Sequence, residues 1–370
     1  MLPKSRILKK LAAALLFLPL LTFGQGRKYS NEFLNIGVDA RAMAMSNSVI
    51  GSVNDVTAGY WNPAGLAAIK DDWQAAAMHA EYFASIAQYD YLSYAMPVDA
   101  VSTAGITLIR FGVDDILDTT ELIDEEGNVD YNRITKFSAA DYALIGSYAR
   151  ESEKIANLRY GANVKIIYRQ IGDFANAIGF GFDVGAQYSI SRWQFGANLR
   201  DVTSTFNSWS FNEDKLKQAF DNTNNQTSGG QNELPEENLE LTIPRLLLGI
   251  GRNFRLNEKY TLHTELNFDV TFDGQRNTLV SSGFGNIDPG FGFELGYRDF
   301  IFLRGGAGNV QKVRDFNGTS SYTLQPNLGI GFKYRGIHID YALTDIGNVS
   351  DALYSNIFSV KFNFAAFKRS

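Results

Sequence analysis

The chain of 370 residues has no cysteine. A disulfide framework, a thiolate metal site and a lipidated N-terminal cysteine are therefore excluded. Histidine is nearly as scarce. His79, His263 and His338 are the only three, and they fall in separate segments without metal-ligand spacing. Their polarity fits residues facing a lumen. Proline is sparse, at 8 residues, and Lys/Glu-rich stretches of helical period are nearly absent. Beyond the N-terminus no apolar run approaches the ~20 residues that span a bilayer as a helix. No G-x-S-x-G nucleophile elbow occurs. Gly249–Gly251 and Gly305–Gly308 resemble phosphate loops but lie inside strand patterns, where glycine marks a bend or close backbone approach. The chain reads as a non-enzyme with no catalytic residue, cofactor or metal. Its formal net charge of −6 argues against nucleic acid as a partner.

The N-terminus carries Lys4, Arg6, Lys9 and Lys10 ahead of the apolar run Leu11–Leu21, with the small Gly24 before Gln25. That pattern predicts a signal peptide over residues 1–24. Its removal takes away four cations and turns −6 into −10.

Phe (27), Tyr (18) and Gly (34) are plentiful, and much of the chain alternates with period two. In Tyr260–Phe272, Tyr260, Leu262, Thr264, Leu266, Phe268, Val270 and Phe272 occupy one face. Thr261, His263, Glu265, Asn267, Asp269 and Thr271 occupy the other. An apolar face beginning and ending in aromatics fits the lipid side of a transmembrane barrel. Tyr260 to Phe268 is about 27 Å along a strand, or roughly 20 Å of height at a 40° tilt. The same alternation recurs in 160–170, 291–297, 328–334, 337–343 and 358–364. Fourteen strands are expected, near 73–83, 87–97, 101–111, 138–150, 158–171, 176–189, 193–202, 244–254, 260–272, 290–298, 300–310, 325–335, 337–344 and 355–365. The first three alternate poorly. Connections at 98–100, 151–157, 190–192, 255–259, 299 and 336 are short. Those at 112–137, 203–243, 273–289, 311–324 and 345–354 are long. With a periplasmic start, every long one falls outside, which places both termini in the periplasm. The loop 203–243 is polar and acidic, with Asp214–Phe220 a possible short helix and a mobile lid or partner surface its expected role. The fold class is all-β: a transmembrane antiparallel barrel of about fourteen strands, residues 73–370, in the outer membrane.

Residues 25–72 do not fit the wall. The stretch Phe33–Ala68 is apolar yet repeatedly broken by Gly, Ser, Asn and Asp, and no period persists. Asp39 is placed to N-cap Ala40–Met45, and Asn62 to N-cap a turn opening with Pro63. This segment is expected to plug the barrel. Lys165, Arg169, His263, Glu265, Asp269, Glu294, Lys333 and Asp340 should project into the lumen, as a substrate path or as salt-bridged packing around the plug.

The segment Asn54-Asp55-Val56-Thr57-Ala58-Gly59-Tyr60-Trp61-Asn62-Pro63-Ala64-Gly65-Leu66 resembles the N-terminal hatch of FadL-like barrels. Together with upstream Phe33–Met45, including Asp39 and Arg41, it is similar to the PorV/PorQ branch. The resemblance covers about 35 residues. It implies a hatch built on Asp39, Arg41, Asn54, Asp55, Trp61, Asn62, Pro63, Ala64 and Gly65, inside a fourteen-stranded wall in the outer membrane. It also implies a component of the type IX secretion system of Bacteroidetes. The partners would be outer-membrane lipids and a large SprA-like translocon barrel, or secreted cargo with C-terminal signal domains. The wider FadL-like family implies an alternative, transport of hydrophobic small molecules across the outer membrane. That would call for an apolar pocket near the hatch and a break in one wall strand.

Overall fold

The computed structural model describes residues 30–83, 85–123, 127–217, 239–314, 318–344 and 355–368. The signal-peptide expectation and part of the 203–243 loop lie outside them. Fourteen wall strands follow in chain order: β1 (Gln74–Tyr82), β2 (Ala87–Pro97), β3 (Ser102–Asp118), β4 (Thr135–Glu151), β5 (Leu158–Ile171) and β6 (Ala175–Ile190). Then come β7 (Trp193–Arg200 with Thr205–Phe211), β8 (Leu239–Thr242 with Arg245–Arg255), β9 (Tyr260–Thr271) and β10 (Asn286–Tyr297). The last four are β11 (Ile301–Arg314), β12 (Ser320–Tyr334), β13 (Ile337–Thr344) and β14 (Ser355–Asn363). Each pairs antiparallel with its neighbours. The sheet closes where β1 meets β14, from Gln74 opposite Asn363 to Glu81 opposite Asn356. Closure leaves no unpaired edge, the condition for a sheet in lipid.

β7 and β8 are each interrupted at the same level. In β7, Asp201 and Ser204 take left-handed backbone angles. In β8 the break falls at Ile243-Pro244, where proline has no N–H to give the ladder. Several long connections are shorter than the sequence implied, because β3, β4, β10, β11 and β12 continue beyond the expected strand ends. The 203–243 loop likewise contributes Thr205–Phe211 and Leu239–Thr242 to the wall, then a helical turn at 213–217. The rim is uneven. β3 and β4 have 17 residues each, against 9 in β1, 8 in β13 and 9 in β14.

Alternation sets the two faces. In β6, Ile178, Phe180, Phe182 and Val184 point outward and are exposed, while Ala177, Asp183 and Gln187 are buried. No helix among the described residues is long and apolar enough to cross a membrane; the outward-facing aliphatic and aromatic side chains make the strands the spanning elements. β1 departs from expectation. Its inward residues are Ala76, Met78 and Ala80, so His79 points outward to Asp90 at 2.7 Å and is not a lumen residue. Its outward residues are polar or small, which explains the poor alternation in the sequence.

Inside the wall lies the segment from Ser30 to Ile69, which supplies most of the largest buried apolar cluster. It contains two short helices, α1 (Ala40–Ala44) and α2 (Ala58–Trp61), and a 3-10 turn over Pro63–Ala68. Asn62 has extended backbone angles and accepts from Ala64 N at 3.3 Å, while Pro63 takes the first helical position. Asp39 behaves differently from the sequence reading. It makes no side-chain cap for α1. Its carboxylate instead accepts from Ser359 Oγ at 2.8 Å and Lys361 Nζ at 3.0 Å on β14. A buried carboxylate gains more from a buried ammonium than from one amide N–H.

Candidate functional site

The plug meets the wall along two flanks. On the flank formed by β5 to β8, neutral or cationic wall side chains donate to plug main-chain carbonyls. Asn163 reaches Gly59 O at 2.9 Å and Asn198 reaches Trp61 O at 2.8 Å. Gln187 bonds Ile50 O and Val53 O at 3.1 and 2.9 Å. Arg200 donates to Leu34 O and Tyr60 O and lies over the Tyr60 ring at 4.6 Å. Asn62 returns the pattern, donating to Ile50 O at 3.0 Å and to the wall carbonyl of Ala186 at 3.1 Å. Backbone approach here is close. A side chain at Gly161, Gly185 or Gly196 would strike Pro63, Asn62 or Ile50. Within the plug, Trp61 Nε1 donates to Val38 O at 3.0 Å. Ala64 is fully buried, and a Cβ on Gly65 would collide with Val53 O.

The opposite flank, β10 to β14, is ionic. Arg41 pairs with Glu294 at 2.8 Å, Glu294 with Arg304 at 2.6 Å, and Arg304 with Asp340 at 2.6 Å. Lys361 sits among Asp39 at 3.0 Å, Asp55 at 3.1 Å and Asp340 at 3.8 Å. Burial alone would raise the Asp55 carboxyl. The Lys361 ammonium, then the Thr57 hydrogen bond and Arg41, outweigh it and hold Asp55 well below the usual carboxylate range. Asn54, beside it, is exposed and takes no part. The hatch residues Asp39, Arg41 and Asp55 and the lumen residues Glu294 and Asp340 are thus one network, completed by Arg304 and Lys361.

Of the other expected lumen residues only Glu265 bonds the plug; the rest pair within the wall. Lys165 pairs with Asp183 at 2.7 Å and with Asp201. Arg169 joins Asp141 and Glu240 at 2.8 and 3.2 Å. His263 bridges Asn253 at 2.7 Å and Glu265 at 3.2 Å, and Glu265 accepts from Gly51 N at 2.7 Å. Asp269 pairs with Arg245. Lys333 reaches Asp299 at 2.6 Å near the short-turn end and does not touch the plug. Sequence reasoning did not single out Gln187, Asn198, Arg200, Arg245, Arg304 and Lys361 as site residues. All occupy the inward phase of strands already recognised, and that phase was the signal available.

On the long-loop side of the plug is a cavity of about 430 Å3. Its lining includes Arg200, Arg245, Arg276, Asn267, Asp269 and Asp288, with Met43, Ser46 and Asn47 of the plug below. It reaches Tyr82, Thr344 and Ser355 at the low part of the rim. The lining is mixed: Ile36, Ile50, Trp61, Phe83 and Leu247 stand beside the charged groups. Among the described residues no group of His, Asp and Glu is arranged to hold a metal ion.

No protein-family model and no curated protein matches this sequence. Solved structures do. The Pseudomonas putida toluene transporter TodX aligns over 89% of this chain and 99% of its own at 13% identity, with a TM-score of 0.54. The Ralstonia pickettii toluene transporter TbuX aligns over 88% of this chain and 98% of its own at 12% identity, TM-score 0.50. A Pseudomonas aeruginosa FadL homologue covers a similar span at TM-score 0.49, too low to carry weight. At such identities the likeness establishes the fold alone, a closed antiparallel barrel.

Proposed function

We propose that the protein is an outer-membrane barrel of FadL-like architecture, closed at rest, with no enzymatic role. Two uses of such a barrel divide the observations. The structural comparisons favour transport of small hydrophobic molecules, since TodX and TbuX are toluene transporters. The motif resemblance of Phe33–Leu66 supports the other use, a PorV/PorQ-like component of type IX secretion that binds a translocon barrel or its cargo. Against transport of apolar solutes stands one observation: Asp39, Arg41 and Asp55 of the hatch are paired to the wall, beneath a cavity that Arg200, Arg245 and Arg276 help line. An apolar solute entering there would strip water from arginine and carboxylate groups and return no hydrogen bond. The wall is broken at one level, where β7 and β8 are interrupted at 201–204 and at Ile243-Pro244. β1 to β4 pair in order, with a single register irregularity between Val113 and Ile116. On the secretion reading the barrel binds its partner through its loops and outer face.

Co-purification from native outer membranes separates the two readings. The secretion reading expects a translocon-sized barrel or secreted cargo to accompany the protein at stoichiometric yield. A protein that comes alone and carries bound apolar compounds supports the transporter reading instead.

A further inference from the structure

Residues 39–47 combine four features that no other part of the plug shares. The first is hinged ends. α1 is bracketed by Asp39, Ser46 and Asn47, non-glycine residues with φ of 73°, 52° and 62°. Asp and Asn tolerate left-handed backbone and Ser less so, so these are points at which the chain can turn. The second is a latch, Arg41 to Glu294 and Asp39 to Lys361. The third is the seat. Met45 and Ala44 rest against Gly292, Gly306 and Gly329, where an added side chain would collide with them. Were the segment to lift, the wall behind it would offer open space with no side chain filling it. The fourth is position. Met43, Ser46 and Asn47 form the floor of the cavity, and Asp55, beyond the latch, is one-quarter exposed (26%).

We propose that residues 39–47 are a gate, and that the solutes it admits are small and hydrophilic, with cations favoured over anions. The route runs from the cavity, along the glycine seat, through the ionic cluster to Asp55. Charged groups line it and carry a permeant ion where an apolar molecule would be excluded. Its selectivity follows from counting. Asp39, Asp55, Glu294 and Asp340 face Arg41, Arg304 and Lys361, four carboxylates against three cations. Without Arg41 the count is four against two. The gate is independent of which partner the barrel binds.

The test is single-channel recording of the purified full-length barrel in planar bilayers, with potassium chloride as the probe. Wild type should be closed for nearly all of the record. Arg41→Ala leaves Glu294 its Arg304 partner and removes one of the two latch pairs, so open time should rise at least about tenfold. Gly306→Ala, whose methyl would strike Met45 and Ser46, should open the route by unseating the same segment. In a potassium chloride gradient the reversal potential should show cation preference. Lys333→Ala removes an ion pair away from the plug and should stay closed. Heat-dependent gel mobility verifies that each variant is a folded barrel. Folded Arg41→Ala and Gly306→Ala barrels that stay closed would overturn the proposal. So would anion-selective openings, or equal openings in Lys333→Ala.

Discussion

The two flanks of the plug are fixed by different chemistry. Against β5 to β8, amide and guanidinium groups of the wall bond main-chain carbonyls, which every sequence offers and no proton removes. Against β10 to β14, plug side chains form ion pairs whose strength depends on each partner's charge. A hydrogen bond to a carbonyl contributes roughly 1 kcal/mol and is insensitive to ordinary pH. A buried ion pair contributes little beyond its desolvation cost, yet losing one partner costs about 3–5 kcal/mol. The first flank is thus an anchor, and the second can be switched.

The largest effect should come from the anchor flank. Gly196→Val places a branched side chain against Ile50 O and Gly51 Cα, where neither backbone can yield. Overpacking costs typically about 1–3 kcal/mol and more where backbone is struck. The plug should fail to seat, which limited proteolysis of residues 50–68 in the folded barrel would reveal. Intact protection would mean that the anchor is softer than its geometry implies.

The wall gives an effect of similar size with no plug involvement. Leu266 is exposed on the outward face of β9, so Leu266→Arg near the bilayer midplane should cost ~2–4 kcal/mol. The neighbouring Asn267 borders the 430 Å3 cavity, which leaves room for a longer side chain, so Asn267→Arg should be milder. Urea titration in vesicles compares the two, and the reverse order would mean that the register of β9 is wrong.

Smaller again is Asn62→Ala. It removes a cap worth about 1 kcal/mol and also the Asn62 bonds to Ala186 O and to Ile50 O, which keeps its bond from Gln187. The barrel should still insert and show normal heat-modifiable mobility, while residues 58–68 gain faster amide exchange. Unchanged exchange would reduce the motif to filler.

The smallest effect is that of acid on the ionic flank. The Asp55 carboxyl titrates below its unfolded value of about 3.9. Its contribution is complete above that value and is lost as pH falls through the lower folded one. The Asp55 part should not change between neutrality and pH ~5; burial raises the Asp39 carboxyl, so its pair with Lys361 is the first to lose charge. Below pH ~4 the ion-held residues 39–47 should loosen while the amide-held residues 58–66 do not. Loosening of both together would merge the two flanks into one unit.

Much of the wall was legible because a strand reports its faces every second residue. The β5 and β9 patterns need only Tyr160 or Tyr260 as a starting point, and the ladder confirms each face. Strand ends were less legible. Above the membrane the outward face no longer has to be apolar, so Ile116–Asp118 and Ser320–Leu324 carried no lipid signal. β1 lies where it was expected, but its faces were unreadable for the same reason in reverse, with His79 and Glu81 polar on the outside and alanines within. In the plug, Asn62-Pro63 was readable because capping is local. Asp39 was not. Its true partners Ser359 and Lys361 lie some 320 residues away, and no local rule detects such a pair.

The most direct test of the account is hydrogen–deuterium exchange of the purified, folded barrel at neutral pH, resolved over residues 30–69. Two levels of protection are expected inside one plug: residues 58–66 exchanging as slowly as the wall strands, and residues 39–47 clearly faster though still protected. A plug that exchanges throughout at a single rate, whether slow or fast, would contradict the division into anchor and switch.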